Sequence, residues 1–210
     1  MAEAAGALRR WAEKHGRRTP WRKSASPYEL AVAEILLQKT KGEDAESVWA
    51  EVISHYPDAV SLSNAPHAHL ETLVGKVGLR HQRTQRLKAM ASVLREGRTD
   101  YKVPGLGPYG SAISALSQGR VPAIPPVDGN VARVMCRLKG LSFSRGEPRK
   151  KPEVRQAVSD LLGTQDTPDQ MLEVAYALVD LGATVCHRIT PACASCPVSA
   201  WCAFAAAAAS

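Results

Sequence analysis

Four of the five cysteines in this 210-residue chain, Cys186, Cys193, Cys196 and Cys202, stand in one short stretch with the spacing C-x6-C-x2-C-x5-C. Thiolates set this close, in a chain without secretory features, hold a metal or an iron–sulfur cluster in preference to disulfides. Zinc sites pair their ligands two and two across a longer spacer. A cubane [4Fe–4S] takes one thiolate per iron corner from a compact loop, and zinc stays the alternative. Two carboxylates also stand out. Glu34 shares an apolar stripe with Leu30, Ala33 and Leu37 at helical spacing, so it is either a tethered structural acid or a tuned catalytic one. Asp128 follows a proline-rich loop and reads as the N-cap of an apolar helix, a role that would account for it unaided. Between them lies Val103-Pro-Gly105-Leu-Gly107-Pro-Tyr109-Gly110. Two glycines two apart permit a tight turn with positive backbone dihedrals and leave amide groups bare at a helix N-terminus, where a phosphate is favoured. An ordinary helix–helix turn would look the same in isolation.

Composition narrows the setting. The net charge is +7 and the sequence pI is near 9.3, which favours a polyanionic partner, nucleic acid first. Hydrophobic residues make up 45%, enough for one large domain or two small ones around a proper core. No apolar run approaches a membrane span, and the N-terminus lacks the charged start and apolar centre of a signal peptide, so no membrane partner and a reducing, cytoplasmic location (nucleoid-associated in a bacterium) are expected. The fifth cysteine, Cys136, lies in an apolar helical stretch and reads as a small core residue.

The elements that must carry these residues are helices throughout; no segment sustains period-two alternation, and the fold class is all-α. Helices are expected at 4–15, from Ser26-Pro27 to about Thr40, at 44–56, 67–75, from about Gly78 to Arg95, from Gly107-Pro108 to about Gln118, from Asp128 on, and at 153–162 and 168–182. The last of these opens on a capping box, Thr167-Pro-Asp-Gln170. Residues 141–152 read as a polar, basic loop, and the alanine-rich end, 205–210, as a disordered tail.

Taken together, the Pro-Gly-Leu-Gly turn, the Val127-Asp128-Gly-Asn-Val context and the four-cysteine loop, in that order, resemble the helix–hairpin–helix DNA glycosylases of the endonuclease III/MutY/Mig superfamily. The resemblance runs from about Trp11 to Cys202. Thr19-Pro-Trp-Arg and Ala33-Glu34-Ile-Leu-Leu-Gln-Lys-Thr40 look like the N-terminal signature of the MutY and Mig branches. It implies two helical subdomains flanking a DNA-binding cleft: a helical barrel with the hairpin over 25–127, and an iron–sulfur domain made of 1–24 and 128–204. A monomer acting on double-stranded DNA that holds a mispaired or damaged base is expected, with a [4Fe–4S] cluster on the four cysteines.

The resemblance also implies roles. Asp128 matches the aspartate that supports cleavage of the N-glycosidic bond, and Glu34 the acid that protonates or hydrogen-bonds the leaving base; the two are expected to share one pocket. Tyr109 stands where bifunctional members carry a lysine nucleophile. A phenol forms no Schiff base, so hydrolysis without strand cleavage is expected, Lys39 and Lys102 being the substitutes nearest in sequence. DNA contacts are implied for Gln38, Lys39, Thr40, Leu79, Arg80, His81, Gly105, Gly107, Tyr109 and Gly110, with Gln38, Leu79, Arg80 and His81 approaching or wedging into the strand opposite the flipped base. The Gly78-Leu-Arg-His-Gln-Arg string and Tyr109 look more like Mig, which removes thymine or uracil opposite guanine. The Asp128-Gly-Asn-Val-Ala-Arg string looks more like MutY, which removes adenine, although the chain ends soon after the cysteine loop, where MutY continues. Excision of a pyrimidine opposite guanine is the leading expectation. Adenine excision, a bifunctional lyase acting on oxidised pyrimidines, and a non-catalytic iron–sulfur DNA binder are the alternatives. Two departures from the pattern lie nearby: a connector of nine residues between Leu94 and Pro104, and a proline-rich loop one residue longer before Asp128.

Overall fold

A computed structural model describes residues 1–23, 26–40, 42–97 and 103–209, and every regular element among them is helical. In chain order these are α1 (Ala2–His15), α2 (Pro20–Lys23), α3 (Pro27–Leu36), α4 (Gly42–His55), α5 (Ala59–Ser63), α6 (His67–Gly75), α7 (Arg80–Arg95), α8 (Pro108–Ser117), α9 (Gly129–Lys139), α10 (Pro152–Leu162), α11 (Pro168–Thr184) and α12 (Ala203–Ala209). Among the described residues, none of these helices is long and apolar enough to cross a membrane. The chain divides into two compact units, one of residues 18–114 and one of 1–17 with 115–210.

In the unit of residues 18–114, α3 is buried on almost every face. Tyr28, Leu30, Ala31, Val32, Ala33, Ile35 and Leu36 are all inside, and each of the larger side chains gains about 1.5–3 kcal/mol from leaving water. Ser26 caps the helix by accepting from the Glu29 N–H. α7 packs against α3, α5 and α6 through Leu87, Met90 and Ala91. The Trp49 indole donates to the Glu29 carbonyl and the Tyr28 hydroxyl to the Tyr56 carbonyl, tying α4 and its C-terminal end to α3. Burial raises the Tyr28 phenol well above its ordinary range.

Several boundaries differ from those read from periodicity. α3 stops at Leu36 instead of continuing to Thr40, because Lys39 takes a left-handed backbone with φ of 58°. The short α2 and α5 fall where only connectors were expected; α5 is nucleated by a capping box in which Asp58 and Ser61 bond each other's backbone. Lys102 and residues 98–101 of the connector between Leu94 and Pro104 lie outside the described residues.

In the other unit, α11 packs against α1, α9 and α10. Gly182 permits the closest approach, since a Cβ there would stand 2.6 Å from the Asn130 Cβ. Thr167 caps α11 by accepting from the Gln170 N–H, but Gln170 returns its bond to the Asp166 N–H, one residue before the cap, so the expected box is only half closed. The alanine-rich end, where fraying was expected, is helical through Ala209. Alanine is the strongest helix former, the Cys202 carbonyl takes the first bond from Ala206, and the Arg137 guanidinium sits 4.7 Å over the Phe204 ring.

Candidate active site and nucleic-acid interface

Within residues 18–114 the structure brings the glutamate, the hairpin turn and the Gln38–Thr40 segment together. Val103-Pro104-Gly105-Leu106 forms a turn closed by the Leu106 N–H on the Val103 carbonyl. Proline second and a glycine with φ of +84° third make it a type II turn. Gly105 is needed twice over: a side chain would meet that dihedral, and its Cβ would press on Ile35 and Arg86 at 3.1 and 3.0 Å. Gly107 does not share the positive dihedral expected of both glycines; it is exposed, with open space where a Cβ would stand. Pro108 then opens α8, with Tyr109 half-buried and Gly110 buried. Gly110 lies directly against Glu34. A Cβ added there would stand 3.0 Å from Glu34 Oε2 and 3.3 Å from its Cβ. Glu34 itself is half-buried and makes an interaction of its own.

Gln38 belongs to the same assembly. Its amide donates to the Gly105 carbonyl at 2.7 Å and accepts from Arg86 Nη1 at 2.5 Å. Both ends thus have a partner within the unit, and this side chain, expected to approach or wedge into DNA, braces the hairpin turn. Lys39, next to it, is exposed, and Thr40 Oγ1 accepts from Arg83 at 2.6 Å. Leu79, Arg80 and His81 sit together at the start of α7 and are exposed, Leu79 at 44% with φ of 51°. His81 and His67 bond the same carboxylate oxygen of Glu71, and against partial burial the two rings hold that carboxyl below its ordinary range. Arg83, Arg86 and Glu71 were not foreseen. For Arg83 a signal existed: it shares the spacing of Leu87, Met90 and Ala91, an arginine on an apolar stripe.

In the other unit Asp128 is half-buried and does cap α9. Oδ1 accepts from the Val131 N–H at 2.7 Å, while Oδ2 faces the Asn130 amide at 3.3 Å. The far end of α9 holds the cysteine loop. Arg133 Nε donates to the Cys186 carbonyl and its Nη2 to the Gly182 carbonyl. Arg137, one turn on, donates to Cys186 Sγ at 3.3 Å and to the carbonyls of His187 and Arg188. Cys136, between them, is half-buried and not a full core residue; burial pushes its thiol up.

Cys186, Cys193, Cys196 and Cys202 line a single pocket, together with Arg137 and Phe204. Among the described residues no group of three or more His, Cys, Asp or Glu is placed to hold a metal ion. Tetrahedral zinc would need four sulfurs roughly 3.8 Å apart around Zn–S bonds of about 2.3 Å. Burial, then the charges of Cys186, Cys202 and Cys193, push the Cys196 thiol up despite a bond from the Val198 N–H. Four soft donors around one cavity, with an arginine on one sulfur, fit an iron–sulfur cluster carrying one thiolate per iron.

The chain is similar along most of its length to known proteins. The chain is 27% identical over 192 residues to the thymine-DNA glycosylase of Aeropyrum pernix, covering 87% of this chain and 85% of that one. It is 30% identical over 204 residues to the adenine DNA glycosylase of Mycobacterium tuberculosis, covering 92% of this chain and 65% of that one. The fold matches that of a thermostable thymine-DNA glycosylase with a TM-score of 0.78 at 23% identity, over 97% of this chain and 95% of that chain. The model of the HhH-GPD superfamily of base excision DNA repair proteins matches residues 32–162, from within α3 through the hairpin turn and Asp128 to the end of α10, and the chain therefore belongs to that superfamily as a DNA N-glycosylase.

Proposed function

We propose that the protein hydrolytically excises thymine or uracil mispaired with guanine from double-stranded DNA, acting as a monomer and leaving the strand uncut. The observation that carries this reading is the similarity along most of both chains to a thymine-DNA glycosylase. Tyr109 in the hairpin, where a lysine would permit covalent attack on the sugar, supports hydrolysis. In this reading the nucleotide leaves the stack before reaction. The Asp128 carboxylate answers the positive charge that grows on the sugar as the base departs. Glu34 hydrogen-bonds or protonates the departing base. A second reading, adenine excision, is favoured by the Asp128-Gly-Asn-Val-Ala-Arg string and by the 30% identity to an adenine DNA glycosylase.

Cys186, Cys193, Cys196 and Cys202 would hold a [4Fe–4S] cluster, whose iron–thiolate bonds cross-link a loop that has little core of its own. Arg133 and Arg137 fix that loop from α9 whatever the occupant.

The test is a panel of duplex oligonucleotides carrying G·T, G·U, A·G, A opposite 8-oxoguanine, thymine glycol and hypoxanthine. Nicking of G·T and G·U that needs alkali, with no borohydride trapping to DNA, is expected. Excision confined to the adenine pairs would replace this reading with the second, and trapping would replace hydrolysis with lyase chemistry. The same preparation should be brown, with iron in place of zinc on metal analysis.

The contact between Gly110 and Glu34 gives a sharper result. Gly110→Ala adds a methyl group that must push the glutamate aside by a few tenths of an ångström. In a helix, alanine is otherwise preferred over glycine by about 1 kcal/mol. The variant is expected to melt no lower than the parent while excising roughly tenfold more slowly, since misplacement on this scale is costly to a positioned group. Single-turnover rates and a thermal melt check both halves; an unchanged rate would remove Glu34 from the chemistry.

A further inference from the structure

Among the described residues, Arg83 is a buried cation with no carboxylate among its hydrogen-bond partners. It is 1% exposed, the largest fully buried side chain described. One nitrogen, Nη2, donates to both the Gln38 carbonyl at 2.7 Å and Thr40 Oγ1 at 2.6 Å, while Nε and Nη1 have no partner among the described residues. Leaving donors unmet in a core is costly, and an apolar side chain of similar length would avoid it. The residue therefore needs a reason beyond packing.

That reason lies in what the two bonds enclose. Gln38 and Thr40 flank Lys39, whose backbone is left-handed at φ of 58°. A non-glycine residue holds such a conformation only where its surroundings over-determine it, and such strain collects at working sites. Here the restraints are visible. Arg83 ties both sides of Lys39, the Thr40 N–H bonds the Leu37 carbonyl, and the Gln38 side chain is held by Arg86 and by the Gly105 carbonyl. The outcome of so much restraint is one exposed ammonium at the apex of a turn fixed to the hairpin.

We infer that Arg83 is a positioning residue for DNA binding: from inside the fold it locks the Gln38–Lys39–Thr40 turn so that Lys39 meets the DNA backbone. This rests on DNA being the ligand. Arg83 itself, with no accessible surface to speak of, does not touch the nucleic acid.

The test is a double-mutant cycle read by affinity and its salt dependence, using the full chain and a G·T duplex. Lys39→Ala is expected to weaken binding about three- to tenfold and to reduce the slope of log affinity against log salt by about 1, as loss of one phosphate contact does. Arg83→Met should do the same although it removes no surface charge, and the double variant should be no weaker than the weaker single one. Its melting temperature should stay within about 5 °C of the parent, because two unmet donors leave with the charge. If Arg83→Met fails to fold, Thr40→Val, which deletes one of the two acceptors, must show the same non-additivity with Lys39→Ala. Additive losses, or an Arg83→Met protein with the parent's affinity and slope, would overturn the inference alone. A parent that binds no duplex would overturn the glycosylase reading with it.

Discussion

Asp128→Asn is expected to bind mispaired duplex as the parent does and to excise the base at least about 10²–10³-fold more slowly, the loss typical of removing one electrostatic stabiliser of a transition state. The substitution separates two jobs that the aspartate performs at once. As a cap it accepts from the Val131 N–H through Oδ1, and an asparagine oxygen serves there equally well. Oδ2 faces the Asn130 amide at a long 3.3 Å, the one weak bond the substitution forfeits, while Arg133 still holds Asn130 through its Oδ1. The cap therefore survives and the charge does not. Stability should change by no more than about 0.5 kcal/mol, whereas Asp128→Ala, which loses the cap too, should cost about 1 kcal/mol. Single-turnover excision of a G·T duplex followed by alkali, paired with urea melts of both variants, decides it. An asparagine protein cutting at the parent's rate would leave Asp128 as nothing more than the start of α9.

What could be seen in the linear chain, and what could not, divides along the range of the interactions. Caps are local, and Ser26, Asp128 and Thr167 each accept the backbone N–H expected of them. The Asp58–Ser61 box is equally local, and it starts a helix of only five residues, too short to show an apolar stripe. The end of α3 is another matter. Periodicity carries an apolar face to Leu37 and suggests a helix to Thr40, but an arginine 43 residues further on holds Thr40 in a turn instead. The same limit hid Gln38. The resemblance implied a side chain approaching or wedging into DNA; two partners, from α7 and from the hairpin, hold it within the fold. Arginine gripping a loop carbonyl leaves no mark in composition or spacing, which is why Arg133 and Arg137 went unnoticed beside the cysteines they support. That the four cysteines come together in one loop was legible from their short intervals alone.

The second large effect concerns a pair that carries no chemistry. On α11 the Asp180 side chain is 1% exposed, and it accepts from the Arg17 backbone N–H at 2.9 Å and from Arg17 Nε at 2.6 Å. The arginine is 41% exposed, so the two partners do not lose equally when separated. Arg17→Ala strands a buried carboxylate with one of its charged donors gone, and should cost about 3 kcal/mol, the low end for a broken buried pair because the backbone N–H remains. Asp180→Leu leaves no buried charge, since the guanidinium turns into water, although the Arg17 backbone N–H loses its acceptor; it forfeits charge-assisted bonds worth about 1.5–3 kcal/mol each and recovers part of that from the desolvation no longer required. The arginine deletion should thus be the worse of the two. Urea melts of both variants at neutral pH measure this, and an Asp180→Leu protein less stable than Arg17→Ala would mean that the bonds, and not the stranded charge, dominate at this end of α11.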